Sequence, residues 1–285
     1  MSSADDAGWS WDPTLFAGSA VHYPRGRVGY PAAMVDGLVR TLGLDGTGRL
    51  LDVGCGPGSV ALLLAPHYAE VVGVDADPDM IEVASVLAAE LGIGNASWHH
   101  RRGEQLTADL GPFRTAVLAQ SFHWMDRPLV ARLVYELLEV GGTLVHIHAN
   151  TNRGGADIEG LAGPQPPHDA IAELVSSYLG PVRRAGQGLL PQGTAGGEDE
   201  IYHGAGFVLG EQLEVPGWVV ERSVDDLVAA TFSLSGSAPH LFGDRLADFE
   251  DELRALLVEA AGDDGFTERM SPVGVDVWHR GIDLD

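Results

Sequence analysis

LLDVGCGPGS, residues 50–59, is the stretch that decides the fold of this 285-residue chain. It begins as a short apolar strand, carries Asp52 near the end of that strand, and runs into glycines at positions 54, 56 and 58. Glycine adopts backbone conformations that other residues avoid and lets a ligand approach closely, because it has no Cβ. The stretch therefore predicts a strand, a loop that packs against a ligand, and a helix after the loop.

The spacing of the glycines separates two classes of nucleotide ligand. Loops that bind dinucleotides carry a third glycine three positions after the second, where a helix N-terminus meets the pyrophosphate. That position is Ser59 here, and the third glycine comes one position earlier, at Gly58. Asp52, just ahead of the loop, suits a ligand with a positive amino group better than a pyrophosphate. The spacing disfavours a nicotinamide oxidoreductase, which stays as a less favoured alternative.

Asp75 is the second predicted ligand contact. It ends the apolar strand EVVGVD, residues 70–75, and lies 21 positions after Gly54. In Rossmann-like domains an acid at this place accepts hydrogen bonds from ribose hydroxyls. We therefore expect the sugar of a nucleotide ligand at the end of the second strand.

Strands and helices alternate through the first half of the chain, a pattern typical of a parallel sheet that is covered on both faces. The predicted strands span residues 49–53, 70–75, 96–101, 115–119 and 142–148, and the predicted helices 31–42, 60–64, 79–91 and 129–138. Residues 150–205 are rich in glycine and proline, with a short helix predicted at 170–179. Both a cover over a pocket and a plain flexible linker are compatible with that composition.

The C-terminal part returns to a regular pattern. Strands are predicted at 207–215, 218–221 and 275–280, and helices from Ser223 onward and over 244–261. Asp226 stands three positions after Ser223, which is the spacing of a capping box. The last strand is predicted to complete the sheet at one edge.

Charge and residue usage exclude several classes of function. Acidic residues number 41 and basic residues 17, giving a formal charge of −24, and the acids are scattered along the chain. This charge disfavours nucleic acids and anionic membranes as partners. All 17 basic residues are arginines, so Schiff-base and P-loop chemistry, which both need a lysine, are excluded.

The expected location is the cytoplasm. The first twelve residues contain neither a basic cluster nor an apolar stretch of the kind found in signal and transit peptides. The single cysteine, Cys55, cannot form an internal disulfide, which agrees with a reducing compartment. The sequence leaves open whether the protein is a monomer or a homodimer.

Four motifs together carry a resemblance to a known family. They are LDVGCGPG at 51–58, VVGVDAD at 71–77, Gly103–Glu104 after the third predicted strand, and AQSFHW at 119–124. Over about residues 14–149 the chain resembles class I S-adenosylmethionine-dependent methyltransferases, in particular the small-molecule branch with a type 11 methyltransferase domain. The resemblance implies an α/β Rossmann-like fold with a seven-stranded, mostly parallel central sheet and helices on both faces. It implies S-adenosylmethionine as the cofactor and S-adenosylhomocysteine as the product.

The resemblance also divides the chain and assigns cofactor contacts. Residues 1–30 lead into the core, 31–149 form the cofactor-binding core, 150–205 form a lid or insert over the substrate pocket, and 206–285 complete the sheet and cover the pocket. Asp52, Gly54, Gly56 and Gly58 lie along the methionyl part, Asp75 binds the ribose, Ala76 and Met80 flank the adenine, Glu104 neighbours its amino group, and Gln120 closes the site. The segment YPRGRVGYP, residues 23–31, resembles the family's N-terminal segment, in which Tyr23 and Arg27 reach the cofactor carboxylate. Val28 departs from the family pattern, which commonly has proline there.

The implied activity is methyl transfer to a small molecule. The expected acceptor is an aromatic or hydrophobic natural-product intermediate, and O-, N- and C-methylation all stay open. A base is optional, because the sulfonium methyl group is already activated and positioning does most of the work. The candidate catalytic residues are His123, His22, Tyr23 and Tyr178, with His123 and Trp124 equally compatible with a pocket wall. The aromatic residues expected to line the cavity are Trp124, Trp218, Phe232 and Phe242.

Two further alternatives remain, and no metal site is predicted. His146 and His148 share one face of the fifth predicted strand, but no third ligand at metal spacing accompanies them. One alternative is a non-catalytic methyltransferase-like protein that binds the cofactor, or nothing, and serves as a scaffold. The other, a nucleic-acid or protein methyltransferase, is disfavoured on the nucleic-acid side by the acidity and by the absence of an Asn/Asp-Pro-Pro-Tyr/Phe signature.

Overall fold

A seven-stranded sheet forms the centre of the structure. The computed structural model describes residues 12–155, 159–182, 196–261 and 265–281, and the backbone of 184–185 and 188–189. Within these ranges the strands are β1 (Arg49–Val53), β2 (Glu70–Asp75), β3 (Ala96–His100), β4 (Phe113–Ala119), β5 (Leu138–His148), β6 (Arg184–Ala185), β7 (Gly188–Leu189), β8 (Phe207–Val215), β9 (Val219–Arg222), β10 (Phe266–Arg269) and β11 (Val273–Arg280). The α-helices are α1 (Tyr23–Gly26), α2 (Ala32–Leu42), α3 (Ala61–Leu64), α4 (Pro78–Glu90), α5 (Arg127–Leu137), α6 (His168–Leu179), α7 (Glu198–Gly204), α8 (Val224–Phe232) and α9 (Leu246–Ala261).

The order of the strands across the sheet is β3-β2-β1-β4-β5-β11-β8. Strands β1 to β5 run parallel to one another, and β11 runs antiparallel to both β5 and β8. The chain therefore proceeds from β1 toward β2 on one side and returns to place β4 on the other. Where the strand order reverses in this way, a crevice opens at the carboxyl ends of the central strands, and ligands bind there.

The last strand, β11, corrects one prediction from the sequence. It does not lie at the edge of the sheet but between β5 and β8, and its residues Val275 and Val277 are fully buried. β8 is the edge strand instead, with Glu211 and Gln212 exposed in its middle. Charged side chains suit an edge strand because they discourage pairing with other chains. The prediction was wrong because chain order does not reveal that the last strand inserts between two earlier ones.

The other predicted elements are confirmed, with end points that differ by at most four residues. Ser223 and Asp226 form the predicted capping box at the start of α8, each accepting a hydrogen bond from the backbone N–H of the other. No helix of the described ranges is both long and apolar enough to cross a membrane. The four-part division of the chain stays a prediction.

Apolar side chains pack on both faces of the sheet. On one face, Val53 of β1 belongs to a cluster that includes Val130 and Val134 of α5. On the other face, Leu50 of the same strand belongs to a cluster that includes Met34 of α2. β1 is therefore buried on both sides, as is typical of a central strand in a parallel sheet.

A third apolar cluster joins α6, α8 and α9. Phe249, Leu253 and Leu257 form a buried stripe along α9, at a spacing of four residues. Phe232 and Phe242 pack onto this stripe, and the ring centroids of Phe242 and Phe249 are 4.0 Å apart. The C-terminal helices therefore have a small core of their own.

A buried ion pair joins segments that are far apart in the chain. The side chains of Arg222 in β9 and Glu268 in β10 are 4% and 2% exposed, and Arg222 Nη1 lies 2.9 Å from Glu268 Oε1. The other oxygen, Oε2, accepts hydrogen bonds from Gly154 N at 2.6 Å and His168 Nε2 at 3.0 Å. Arg222 Nη2 donates to the carbonyl of Gly26 at the end of α1. The pair thereby connects α1, α6 and the loop after β5 to the C-terminal strands.

We expect Glu268→Gln to lower the free energy of unfolding by about 3–5 kcal/mol, because it leaves the Arg222 guanidinium buried without a counter-charge. Glu250→Gln is the matched control, since Glu250 forms a partly exposed pair with Arg254. Its expected cost is below about 1 kcal/mol. Urea denaturation followed by circular dichroism measures both changes. Equal losses in the two variants would contradict the role given to Glu268.

Candidate active site

A cavity of about 660 Å³ lies at the carboxyl ends of β1, β2 and β4. Every residue that the resemblance assigns to the cofactor lines it: Tyr23, Arg27, Asp52, Gly54, Gly56, Gly58, Asp75, Ala76, Met80, Glu104 and Gln120. Of the candidate catalytic residues, His123 and Tyr23 line the cavity. The fold thus brings together residues from five segments of the sequence at the crevice where the strand order reverses.

Two of the three glycines in the loop after β1 are closely approached by other side chains, and the third faces open space. Gly54 has φ +70°, and a Cβ there would come within 2.5 Å of Ser121 Cβ. Gly58 has φ +81°, and a Cβ would come within 2.7 Å of Trp98 Cη2. Gly56 has φ +53° but no atom within 4 Å of the Cβ position. All three positions need glycine for their backbone conformation, and Gly56 leaves room for a ligand.

Asp75 holds the loop in place from the end of β2. Its Oδ2 accepts a hydrogen bond from Gly56 N at 2.8 Å, and its Oδ1 accepts one from Asp77 N at 2.9 Å. Burial raises the pKa of Asp75 to about 6, although these two backbone donors act in the opposite direction. Each carboxylate oxygen can accept a further hydrogen bond, so Asp75 can both fix the loop and bind hydroxyl groups.

Asp52 is a buried acid with one oxygen left over. The residue is 1% exposed, and Oδ2 accepts a hydrogen bond from Ala61 N at 3.1 Å. Oδ1 is buried and has no hydrogen-bond partner among the described residues. Burial, with the nearby charge of Asp75 as a smaller cause, raises the pKa of Asp52 to about 7. A buried carboxylate oxygen in this state is suited to a positively charged donor from a ligand.

The walls beside Asp75 combine an apolar surface with one further acid. Met80, in the first turn of α4, is 3% exposed and lines the cavity together with Ala76. Glu104 Oε1 accepts a hydrogen bond from Asp126 N at 2.8 Å, which fixes the start of α5. This part of the cavity can hold a flat apolar group with a polar edge.

The N-terminal segment forms another wall through Tyr23 and Arg27. The Arg27 guanidinium lies 4.7 Å from the centroid of the Tyr23 ring. Its Nε donates to Ser233 Oγ at 2.8 Å, and its Nη2 donates to the Ser233 carbonyl at 2.9 Å. Nη1 lies 3.5 Å from Thr151 Oγ1. Sequence reasoning missed Ser233 and Thr151, because Ser233 stands 206 positions after Arg27 and no local pattern connects them.

Tyr30 and Phe16 are two more lining residues that sequence reasoning missed. Burial and the negative charge of Asp52 raise the pKa of the Tyr30 hydroxyl. Tyr30 is the second tyrosine of YPRGRVGYP, so the resemblance offered a signal for it. Phe16 lies seven positions before Tyr23 and carries no motif of its own.

The turn after β4 is strained at Gln120. Its φ of +56° is the one positive value at a non-glycine position in the described ranges. Its Nε2 donates to the Ile147 carbonyl at 3.2 Å, and the following Ser121 Oγ donates to the Val53 carbonyl at 2.6 Å. Strain of this kind, in a turn anchored on both sides, is typical of functional sites. The turn directs the next residues, His123 and Trp124, to the cavity.

His123 and Trp124 lie at one end of the cavity with two further aromatic rings. The centroids of the Phe16 and Trp124 rings are 5.3 Å apart at an interplanar angle of 79°, and those of Phe16 and Tyr23 are 6.3 Å apart at 77°. The His123 ring centroid lies 5.0 Å from that of Trp124. Burial, with a smaller effect of the positive charge of Arg127, lowers the pKa of His123 to about 4, so its imidazole is neutral at pH 7. We call this part of the cavity, formed by Phe16, Tyr23, His123 and Trp124, the aromatic end.

Two candidate catalytic residues are not brought to the cavity. His22 packs against Phe232, with ring centroids 5.1 Å apart, and burial lowers its pKa. The Tyr178 hydroxyl donates to Glu252 Oε1 at 2.8 Å, and its ring packs against Phe249. Both side chains belong to the packing around α8 and α9, so neither lines the cavity.

Three aromatic residues expected at the cavity are also found elsewhere. Phe232 and Phe242 are buried in the cluster of α8 and α9, and Trp218 packs against the cluster on the α2 side of the sheet. The prediction was correct for Trp124 and wrong for these three, because core packing and cavity lining leave the same aromatic signal in a sequence.

His146 and His148 of β5 are engaged in separate contacts. His146 Nδ1 lies 3.1 Å from the buried Tyr202 hydroxyl, and burial lowers its pKa to about 3. His148 Nε2 lies 2.7 Å from Asp276 Oδ2. In the part of the chain that the structure describes, no group of three or more His, Cys, Asp and Glu side chains is arranged to hold a metal ion.

Part of the chain is similar to known methyltransferases. Residues 50–142 match the family model described as a methyltransferase domain. An uncharacterized methyltransferase of Mycobacterium tuberculosis is 32% identical over 136 residues, covering 47% of this chain and 51% of that protein. A ubiquinone/menaquinone biosynthesis C-methyltransferase of a Geobacter species is 31% identical over 118 residues, covering 40% of this chain and 50% of that protein. The chain spans about half the length of these curated relatives.

Two solved structures are similar over most of the chain. The 4+2 cyclase SpnF has a TM-score of 0.50 at 19% identity, covering 90% of this chain and 84% of its own. A structure that describes the conversion of a disulfide bond into a thioacetal group during echinomycin biosynthesis has a TM-score of 0.52 at 16% identity, covering 95% and 92%. At these identities the similarity shows the fold alone, which is the Rossmann-like fold of class I methyltransferases.

We expect Asp52→Asn to stabilise the ligand-free protein. The pKa of Asp52 is about 7 in the folded chain against an ordinary value of 3.8, so folding loses stability as the pH rises from about 4 to about 7. Asparagine cannot ionise and avoids that loss. The variant should gain about 1–3 kcal/mol at pH 8 and less at pH 5.

Thermal denaturation at both pH values measures this gain, with Asp36→Asn as the control because Asp36 is exposed on α2. A gain in stability of equal size at pH 5 and pH 8, or a gain shared by the control, would be inconsistent with a cost of ionising the buried Asp52 side chain.

Proposed function

We propose that this chain transfers a methyl group from S-adenosylmethionine to a small molecule, a proposal supported by the match of residues 50–142 to a methyltransferase domain. The observation that carries the proposal is the buried Asp52 oxygen without a partner, next to a glycine loop that leaves space at Gly56. A cofactor with an ammonium group, a ribose and an adenine matches the donors and acceptors around that space.

The residues of the cavity fit this cofactor one group at a time. Asp52 would accept hydrogen bonds from the ammonium group, and Asp75 from the ribose hydroxyls. Met80 would pack against the adenine, and Arg27, which lines the cavity, would pair with the carboxylate. S-adenosylmethionine supplies a methyl group that is already activated by its attachment to a sulfonium.

The work left to the chain is to position the acceptor and exclude water, which is worth on the order of 7–11 kcal/mol in well-oriented reactions. Trp124 and Phe16 would orient a flat acceptor by contact with their rings. His123 is neutral at pH 7 and can accept a hydrogen bond from the acceptor. Since the pKa of His123 is about 4, it is a poor acceptor for a full proton from a phenol or an alcohol.

An aromatic or hydrophobic acceptor, such as a natural-product intermediate, is supported by the four rings of the aromatic end. The proposed cover role of residues 150–205 is supported by Thr151, which lines the cavity at the start of that segment. Of the two relatives described above, one is uncharacterized and the other is a ubiquinone/menaquinone biosynthesis C-methyltransferase, so they do not select an acceptor for this chain.

Calorimetric titration tests the cofactor directly. We expect S-adenosylmethionine to bind and NAD and NADP not to bind. Asp75→Ala should weaken binding by about 10- to 150-fold, because it removes charge-assisted hydrogen bonds to the ribose. Asp79→Ala is the control, since Asp79 is a nearby exposed acid on α4. Binding of a nicotinamide cofactor, or none of S-adenosylmethionine, would overturn the proposal.

A second titration tests how Arg27 is held for the cofactor carboxylate. Ser233→Ala should weaken the binding of S-adenosylhomocysteine by about three- to tenfold, because it removes the hydroxyl that accepts a hydrogen bond from Arg27 Nε. Binding of 5′-methylthioadenosine, which lacks the amino acid part, should not change. Thr231→Val is the control, since that buried hydroxyl donates to the Leu227 carbonyl and does not line the cavity. Equal weakening of both nucleosides would show that Ser233 acts only on the general shape of the cavity.

A further inference from the structure

Among the residues that the structure describes, the aromatic end offers no strong base to an acceptor. The three carboxylates among the described lining residues are each bound by backbone N–H groups: Asp52 by Ala61, Asp75 by Gly56 and Asp77, and Glu104 by Asp126. In the proposed function, all three face the cofactor. His123 is buried beside Trp124 with a lowered pKa, and burial raises the pKa of the Tyr23 hydroxyl. Neither side chain is suited to take a proton from an acceptor at pH 7.

The need for a base differs among the three kinds of methylation. A neutral hydroxyl oxygen must lose its proton when it is methylated, and a ring carbon must lose one afterwards to restore conjugation. An uncharged amine attacks with its lone pair and keeps its protons as an ammonium ion. A site without a base at the acceptor therefore favours nitrogen over oxygen and carbon.

The rings of the aromatic end are suited to a positive charge. Phe16 stands nearly perpendicular to both Trp124 and Tyr23, at 79° and 77°, so the rings form a corner and not a flat stack. The faces of Trp, Tyr and Phe rings attract cations. Tyr23 already shows this behaviour toward Arg27, whose guanidinium lies 4.7 Å from its ring centroid. Trp124 and Phe16 are the rings left to act on an acceptor.

The net charge of the chain disfavours an anionic acceptor. Arg27 contacts the aromatic end, but it is hydrogen-bonded to Ser233 and, in the proposed function, pairs with the cofactor carboxylate. Arg101 and Arg102 line the cavity elsewhere, and Arg101 pairs with Asp109 at 3.7 Å. The whole chain carries a formal charge of −24, which attracts cations and repels anions.

We propose that the methyl acceptor is an uncharged amine and that Trp124 and Phe16 stabilise the ammonium ion it becomes. The proposal rests on the proposed function. The amine nitrogen forms a bond to the methyl carbon with its lone pair as the carbon–sulfur bond breaks, and the sulfur keeps the electron pair of that bond. The positive charge passes from sulfur to nitrogen, and any N–H proton leaves to water after release.

A pair of isosteric probes tests the charge preference by binding alone. The protein is first saturated with S-adenosylhomocysteine. This complex is then titrated separately with 3-(trimethylammonio)phenol and 3-tert-butylphenol, two probes that differ in charge but hardly in shape. The cation should bind about three- to thirtyfold more tightly than the neutral probe. Equal binding, tighter binding of the neutral probe, or binding of neither would overturn the proposal.

Two substitutions at one position assign the preference to a ring. Trp124→Leu should remove most of the ratio between the two probes, and Trp124→Phe should keep part of it. Trp218→Leu is the control, because Trp218 packs in the apolar cluster on the α2 side of the sheet and does not line the cavity. An unchanged ratio in Trp124→Leu would contradict the role of Trp124.

The affinity for S-adenosylhomocysteine separates this proposal from the proposed function. It is measured first in every variant and also reports whether the variant is folded. Failure of the wild-type protein to bind S-adenosylhomocysteine would reject the proposed function itself. Normal S-adenosylhomocysteine binding without a preference for the cationic probe would reject the amine acceptor alone.

Discussion

The hydrogen bond from Gly56 N–H to the Asp75 carboxylate is the contact on which the site depends. It exists because β1 and β2 run parallel with Val53 opposite Val74, so that the loop after β1 and the acid that ends β2 leave the sheet at the same edge. A carboxylate at that position fixes the glycine loop and still has lone pairs for a ligand. The empty space beside Gly56, the position of Asp52 and the packing of Met80 all follow from this one register.

Two acids at the cavity lower the stability of the fold and provide groups that can bind a ligand. Asp52 is buried and Asp75 is half-buried at the wall of the cavity, and burial raises the pKa of both. An ordinary core would not retain them, since burying a charge costs free energy. Their cost falls at one place in the fold, where a ligand with complementary groups can offset it. Gln120, with its positive φ, is a second local strain at the same edge of the sheet.

Local sequence patterns predicted the parts of the fold that local interactions determine. The strand before Gly54, Asp75 at the end of β2 and the capping box of Ser223 could all be predicted because each depends on neighbours within a few residues. The inner position of β11 could not, since it depends on which strands are left without a partner. Ser233 and Phe16 were missed for the same reason: the contacts of Ser233 with Arg27 and of Phe16 with Trp124 are made across the tertiary structure.

The ion pair between Arg222 and Glu268 also sets the order in which a newly made chain can be completed. Gly26, next to Arg27, is held by Arg222, and Arg222 by Glu268, so a wall of the cavity near the start of the chain is secured by residues near its end. During synthesis, the strands that carry Asp52 and Asp75 emerge from the ribosome long before Arg222 and Glu268 can form their ion pair. The nascent chain can therefore pair strands β1 to β5 early, while the finished pocket has to wait until β10 has been translated, and the sheet is complete only when β11 follows.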